Sequence, residues 1–312
     1  MLMRKRHVHF LTCETRAATL NGTKLRDVNL RSQQRLPHGA IVHNLCARLR
    51  WEGNWLLRAE KMLEYAKAVN PRDLLVFTDT DVIINARMRV GDVFRRFDAA
   101  RLGSRLLFQA EPICFAPRIE LVGRRNATRT HCSDQMLREY ALGPTGTLPW
   151  DCPRFVNAGA YAGYAADLVP VLRQWLQPWV WAPPCIERPR FGWDDQCIVT
   201  AMALRGNVSI RLDAQEAMFA SAGTVRPCTA SRFRCWECGR PKREGTQSRP
   251  RCDVDTTFAW KAQKDGLQRL PEYTERCRGA GLTPLIMHFN GASKKIMTSP
   301  QILGMLDQTS EA

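Results

Sequence analysis

The sequence predicts an α/β fold, a mostly parallel sheet flanked by helices, carried by one domain over residues 1–312 with a basic, Cys-rich insertion at 222–256. Three observations predict it. Short apolar runs of strand length recur along the chain, and stretches with helical spacing alternate with them. Two of the runs end in polar, chemistry-bearing residues, as strands of an open α/β sheet do where their carboxyl ends meet a crevice.

Residues 7–12 read as a first strand, and 39–45 as a second after a polar, Arg-rich stretch. Residues 54–69 carry Leu56, Ala59, Leu63 and Ala66 at helical spacing with Lys and Glu between them, and Asn70-Pro71 stops that helix. Leu74-Leu75-Val76-Phe77 is continuously apolar, the pattern of a strand buried on both faces. Leu106-Leu107-Phe108 is another such run. Residues 168–175 read as a helix with Pro170 in its first turn, and 194–204 as a helix ended by Gly206. Residues 208–212 and 285–287 complete the strands. There is no internal repeat.

The 312 residues are 45% hydrophobic and 24% charged, the composition of a globular protein, with no apolar run near the roughly 20 residues that span a bilayer. The start has a basic cluster, Arg4-Lys5-Arg6, without an apolar core region. That predicts no secretory signal, hence a cytoplasmic protein as the sequence stands, or an ER-type lumenal one if the N-terminus is incomplete. A formal charge of +16 favours anionic ligands. Residues 222–252 hold eight Lys/Arg against Glu237 and Glu244; this is either a solvated loop or an arm for an acceptor or nucleic acid. Among 12 cysteines, Cys13, Cys114 and Cys197 beside strand-like segments read as buried thiols. Cys228, Cys235, Cys238 and Cys252, with a CxxC at their centre, suit either a structural Zn²⁺ or disulfides.

Four constellations carry chemistry. Phe77-Thr78-Asp79-Thr80-Asp81 puts two carboxylates just past a buried strand. Alternate residues of an extended segment point the same way, so Asp79 and Asp81 can reach one hard cation, Mn²⁺ or Mg²⁺, which can bridge to a diphosphate. Met287-His288-Phe289-Asn290-Gly291 ends another strand; His288 suits a third ligand, Gly291 admits a phosphate close to the backbone, and Lys294 can pair with it. Trp193-Asp194-Asp195-Gln196 opens a helix, where one Asp serves as a cap and two suggest contact with a substrate hydroxyl. The small residues of 155–164 either bring backbone close to a ligand, with Asn157 bonding sugar hydroxyls, or form a strand packed tightly against a helix.

In this order, the segments resemble the glycosyltransferase domain of the procollagen lysyl hydroxylases and related collagen-type glycosyltransferases. The matching runs are 75–83, 107–114, 156–159, 193–196, 212–213 and 288–291, with a looser match from Trp51 to Lys61; the resemblance covers about 7–221 and 283–297. It implies a GT-A-type (Rossmann-like) fold, Mn²⁺ and a UDP-sugar donor. It implies Asp79, Asp81 and His288 as the metal set. Thr12, Lys61, Thr80, Asn290, Gly291 and Lys294 would lie around UDP, and Asn157, Asp194 and Asp195 would face sugar and acceptor. The implied reaction moves galactose or glucose to a hydroxyl acceptor such as hydroxylysine of a collagen-like protein. The alternative is a non-catalytic basic module for nucleic acid or another anion. The chain departs from the family in three ways: only Thr80 separates its metal aspartates, where the family has two residues including a Tyr; the basic Cys arm replaces a region that in the family is normally uncharged and poorer in Cys; and the chain contains no His-x-Asp of an iron hydroxylase.

Overall fold

The computed structural model describes residues 6–13, 39–46, 56–85, 88–111, 155–177, 195–204, 208–222, 260–263, 266–269 and 284–289. The central sheet contains β1 (Val8–Thr12), β2 (Ala40–Asn44), β3 (Leu74–Thr78), β5 (Leu106–Glu111), β6 (Phe155–Tyr164) and β7 (Ile210–Asp213), in the order β2-β1-β3-β6-β5-β7. All pairs are parallel except those of β6, which runs antiparallel between β3 and β5. A smaller sheet joins β4 (Val82–Ile84), β8 (Phe219–Ser221) and β11 (Ile286–His288) in the order β4-β11-β8. Strands β9 (Trp260–Gln263) and β10 (Gly266–Arg269) form a separate hairpin pair. The helices are α1 (Leu56–Ala68), α2 (Val90–Arg101), α3 (Ala165–Trp175) and α4 (Asp195–Leu204).

The period-two geometry of strands sorts the apolar residues into two cores. Leu75, Phe77 and Phe108 face one core with Met62 of α1, Leu168 of α3 and Ile198 of α4. Leu74, Val76 and Leu107 face the other, with Val93, Phe94 and Phe97 of α2 and Phe219 and Ile286 of the small sheet. β3 is buried at all five positions, as a strand covered on both faces requires.

The expected strands and helices are present, with shifted ends. α3 begins at Ala165, directly after β6, so Pro170 lies inside the helix and not in its first turn. β5 extends three residues past Phe108, because Gln109 and Glu111 are buried by interactions that hydropathy does not register. β6 is the strand that one reading of 155–164 expects, while β4, α2 and β8–β10 are not among the expected elements. β6 is built of small residues for two reasons. At Gly163 an added Cβ would collide with Leu106 and Leu168, so strand and helix pack without a side chain there, while the second close approach, at Gly159, belongs to the site below.

One expectation is corrected. Cys13 is not a free thiol but is joined to Cys46 by a disulfide. The two strands run parallel with Thr12 opposite Asn44, which brings the residues that follow each strand side by side. Cys114, the side chain of Cys197 and the four cysteines at 228–252 lie outside the described residues, as does the insertion from 223 to 256. No helix among the described residues is long and apolar enough to cross a membrane.

Candidate functional site

The carboxyl ends of β3 and β5 and the first half of β6 share one edge of the sheet, since antiparallel pairing sets Thr78 opposite Ala160 and Gln109 opposite Asn157. Chemistry-bearing residues collect on this edge. Asp79 follows β3, and its backbone N–H donates to the carbonyl of Gly159 at 2.6 Å. Asp81 opens β4, and its carbonyl accepts from Phe289 N–H at 2.8 Å. That bond and the pairing of His288 with Val82 bring β11 alongside, so residues 207 positions apart meet.

Asp79, Asp81 and His288 each offer a ligand atom, and these atoms lie within 4.8 Å of one another. Asp81 and His288 are buried at 3% and 2% exposure, while Asp79 is partly open. Three observations test whether these groups suit a cation. The donor set is two carboxylate oxygens and an imidazole, which Mn²⁺ and Mg²⁺-like ions accept. His288 Nδ1 donates to Gln109 Oε1 at 2.6 Å, which leaves the Nε2 lone pair facing Asp81 Oδ1 at 3.2 Å. Two acceptors so placed repel each other unless a proton or a metal ion lies between them. Finally, a Cβ on Gly159 would stand 2.7 Å from His288 Cε1, 2.8 Å from Asp79 Oδ2 and 2.9 Å from Asn157 Oδ1, so the cluster closes only around a glycine. The residues fit a divalent cation.

Around this cluster lies a second ring. Arg58 of α1 reaches Asp79 Oδ1 at 2.7 Å and Asp195 Oδ2 at 3.5 Å. Burial works against its charge, but Asp79, Asp195 and Asp81 outweigh it and the guanidinium pKa is raised. At Asp195, the first residue of α4, burial, opposed by Arg58 and reinforced by the charge of Asp79, pushes the carboxyl up to about 6. Glu111, fully buried, accepts from Asn157 Nδ2 at 2.8 Å and Gln196 Nε2 at 2.6 Å, and Asn157 Oδ1 accepts from Gly159 N–H at 2.7 Å. Asn157 therefore braces the stretch of β6 around Gly159 from both ends of its amide. Tyr161 stacks between Phe77 and Phe108, each at 5.0 Å between centroids, and forms the apolar floor behind Arg58.

Of the residues that the sequence singles out, Asp79, Asp81, His288, Asn157 and Asp195 come together. Thr80 is half-buried between the two aspartates. Thr12 ends β1, buried, with a hydroxyl that has no hydrogen-bond partner among the described residues. The Lys61 ammonium engages both oxygens of Glu64 at 2.9 and 2.8 Å, and Arg58, one turn earlier, pairs with Asp79. Asp194, Asn290, Gly291 and Lys294 lie outside the described residues. Arg58, Gln109, Glu111 and Gln196 are additions. Gln109 and Glu111 had a signal in the sequence, two polar residues at alternate positions ending an apolar run, the same pattern as Asp79 and Asp81. Arg58 had none beyond its place on a helix.

No protein-family model matches the chain, and no curated protein matches it. Among solved structures it is similar to a glycosyltransferase involved in the glycosylation of the major capsid of PBCV-1, with a TM-score of 0.44 and 9% identity over 96% of this chain and 98% of that one. It is also similar to the apo form of mouse xyloside xylosyltransferase 1, with a TM-score of 0.40 and 14% identity over 69% of this chain and 86% of that one.

Proposed function

We propose that the chain is a metal-dependent glycosyltransferase that moves a hexose, galactose or glucose, from a UDP-sugar to a hydroxyl acceptor, with hydroxylysine of a collagen-like protein as the acceptor that the sequence resemblance suggests. The observation that carries the proposal is the Asp79–Asp81–His288 cluster, closed around Gly159 at the carboxyl edge of a mostly parallel sheet. These three residues would hold Mn²⁺ or Mg²⁺, which when bound neutralises charge on a departing diphosphate. The chain's own groups then divide the remaining work. Arg58 offers a buried positive charge beside Asp79, where an anionic leaving group benefits from a donor that needs no reorganisation. Asp195 lies across Arg58, with a carboxyl that is ionised for the most part near neutral pH and basic enough to take or orient the acceptor's proton. Glu111, Asn157 and Gln196 fix the part of β6 that carries Gly159. Thr12 and Thr80 border the nucleotide side, joined in this proposal by Asn290, Gly291 and Lys294.

The test is UDP release from a panel of UDP-sugars, with and without Mn²⁺, in wild type and Asp81→Asn. The expected result is Mn²⁺-dependent release with one sugar, reduced at least about 100-fold in the variant. Absence of turnover with every sugar, together with absence of Mn²⁺-dependent UDP binding, would overturn the proposal and favour a basic binding module.

A further inference from the structure

Gln109 is a neutral amide bonded to one of the candidate ligands, His288, and its placement is unusual. It is fully buried on a strand whose flanking residues Phe108 and Ala110 are apolar. The β5–β6 register shifts between Phe108 and Gln109: Phe108 pairs with Tyr161 but Gln109 with Asn157. Irregularities of this kind re-aim side chains next to active sites. Here Gln109 reaches His288, 179 positions away, and places Oε1 at 2.6 Å from Nδ1. Its Nε2 has no hydrogen-bond partner among the described residues. A buried amide donor left in that state needs a reason.

The imidazole supplies one. Neutral histidine carries a single N–H, and the partner of one nitrogen decides which atom holds it. With a carbonyl oxygen on Nδ1, the proton resides there and Nε2 presents a lone pair beside Asp81 Oδ1. With an amide N–H on Nδ1, the proton must move to Nε2, where it bonds to Asp81 and closes the coordination position. The two orientations differ by a half-turn about a terminal torsion that is broadly two-fold. The oxygen-inward orientation leaves Nε2 of Gln109 unbonded, and it is the one that opens His288 to a metal ion.

We propose that Gln109 is a positioning residue for the cation: its carbonyl holds the Nδ1 proton of His288 and so sets the tautomer in which Nε2 can ligate beside Asp81. This rests on Asp79, Asp81 and His288 being the cation site. Gln109 makes no contact with substrate in this role and acts through His288 alone. Partners of metal-ligating histidines typically change metal affinity 10–100-fold when removed.

The test uses the full chain and two readouts besides turnover. Mn²⁺ affinity is measured from the EPR signal of the free ion for wild type, Asp81→Asn, Gln109→Met and Gln109→Glu. The His288 tautomer is read by ¹⁵N NMR of imidazole-labelled, metal-free protein, where no ion holds the proton on Nδ1. Gln109→Met keeps the volume but removes the acceptor; it is expected to weaken Mn²⁺ binding roughly 10–100-fold and to move the proton to Nε2. Gln109→Glu retains an acceptor and is expected to bind at least as tightly as wild type with the proton on Nδ1. Unchanged affinity in Gln109→Met, with Asp81→Asn impaired, overturns the role of Gln109 and leaves the metal site standing. Equal affinities in wild type and Asp81→Asn, or no Mn²⁺ binding at all, overturn the metal site itself. If Gln109→Met does not fold, Gln109→Glu decides alone: binding more than about tenfold weaker than wild type overturns the proposal.

Discussion

Gly159 shows how much one missing atom can matter at a site. Ala would put a methyl group 2.7–2.9 Å from atoms of His288, Asp79 and Asn157, three side chains already held by other bonds. Something must move, and the movable atoms are the candidate ligands. Gly159→Ala is therefore expected to cost about 1–3 kcal/mol of stability, measured by urea unfolding, and to weaken Mn²⁺ binding by about tenfold or more, measured by titration. A folded variant with unchanged Mn²⁺ affinity would show that the loop adapts without disturbing the cluster. Arg58 is the complementary case. Its guanidinium pairs with Asp79 and Asp195 and feels the charge of Asp81, so three like charges collect at one place with a cation built in among them. Lys61, one helical turn away, is the basic residue of this helix that the sequence resemblance sets near UDP. Which of two basic residues on one helix turns inward depends on what faces each, and Glu64 faces Lys61.

At the scale of elements, β2 stands at the edge of the sheet, with Val42, His43 and Asn44 exposed. Its hold on the sheet comes from the parallel ladder to β1, the Leu45 N–H to Thr12 carbonyl bond at 2.8 Å, and the Cys13–Cys46 disulfide. The disulfide closes a loop of 33 positions, for which the chain-entropy account gives a stabilisation of roughly 3–4 kcal/mol. Replacing both cysteines by Ser is expected to lower stability by about 2–4 kcal/mol, and reductant should bring wild type to the same urea midpoint. Identical midpoints with and without reductant would mean that the bridge contributes nothing. Thr12, whose hydroxyl has no hydrogen-bond partner among the described residues, directly precedes Cys13 of this bridge.

At the scale of the whole molecule, the edge of the sheet opposite the site is tied together by Asp73. One carboxylate oxygen accepts from His7 N–H at 2.8 Å and the other from His9 Nε2 at 3.1 Å, while Tyr65 of α1 donates to His9 Nδ1 at 2.9 Å and the Asp73 carbonyl accepts from Ala165 N–H of α3 at 3.0 Å. Burial lowers the pKa of His9, although Asp73 pulls it up. A histidine whose folded pKa is depressed binds its proton more readily in the unfolded chain. Stability is then complete above the ordinary value of 6.5 and declines as pH falls below it, by no more than about 1.4 kcal/mol per pH unit for one proton. His9→Gln is expected to flatten that decline between pH 6.5 and 5 in thermal unfolding; an unchanged slope would assign it to other groups. The sequence by itself determined the fold class, the buried central strand, and the identity of Asp79, Asp81, His288, Asn157 and Asp195 as candidates, because apolar runs and the polar residues that end them are local signals. It did not determine that Arg58 and not Lys61 enters the site, that Gln109 faces His288, that Cys13 pairs with Cys46, or that Gly159 serves the metal cluster while Gly163 serves packing. Those facts depend on neighbours remote in sequence, such as Cys46 for Cys13 at 33 positions, Asp195 for Arg58 at 137 and His288 for Gln109 at 179, which meet only when parallel pairing and the antiparallel insertion of β6 set the registers.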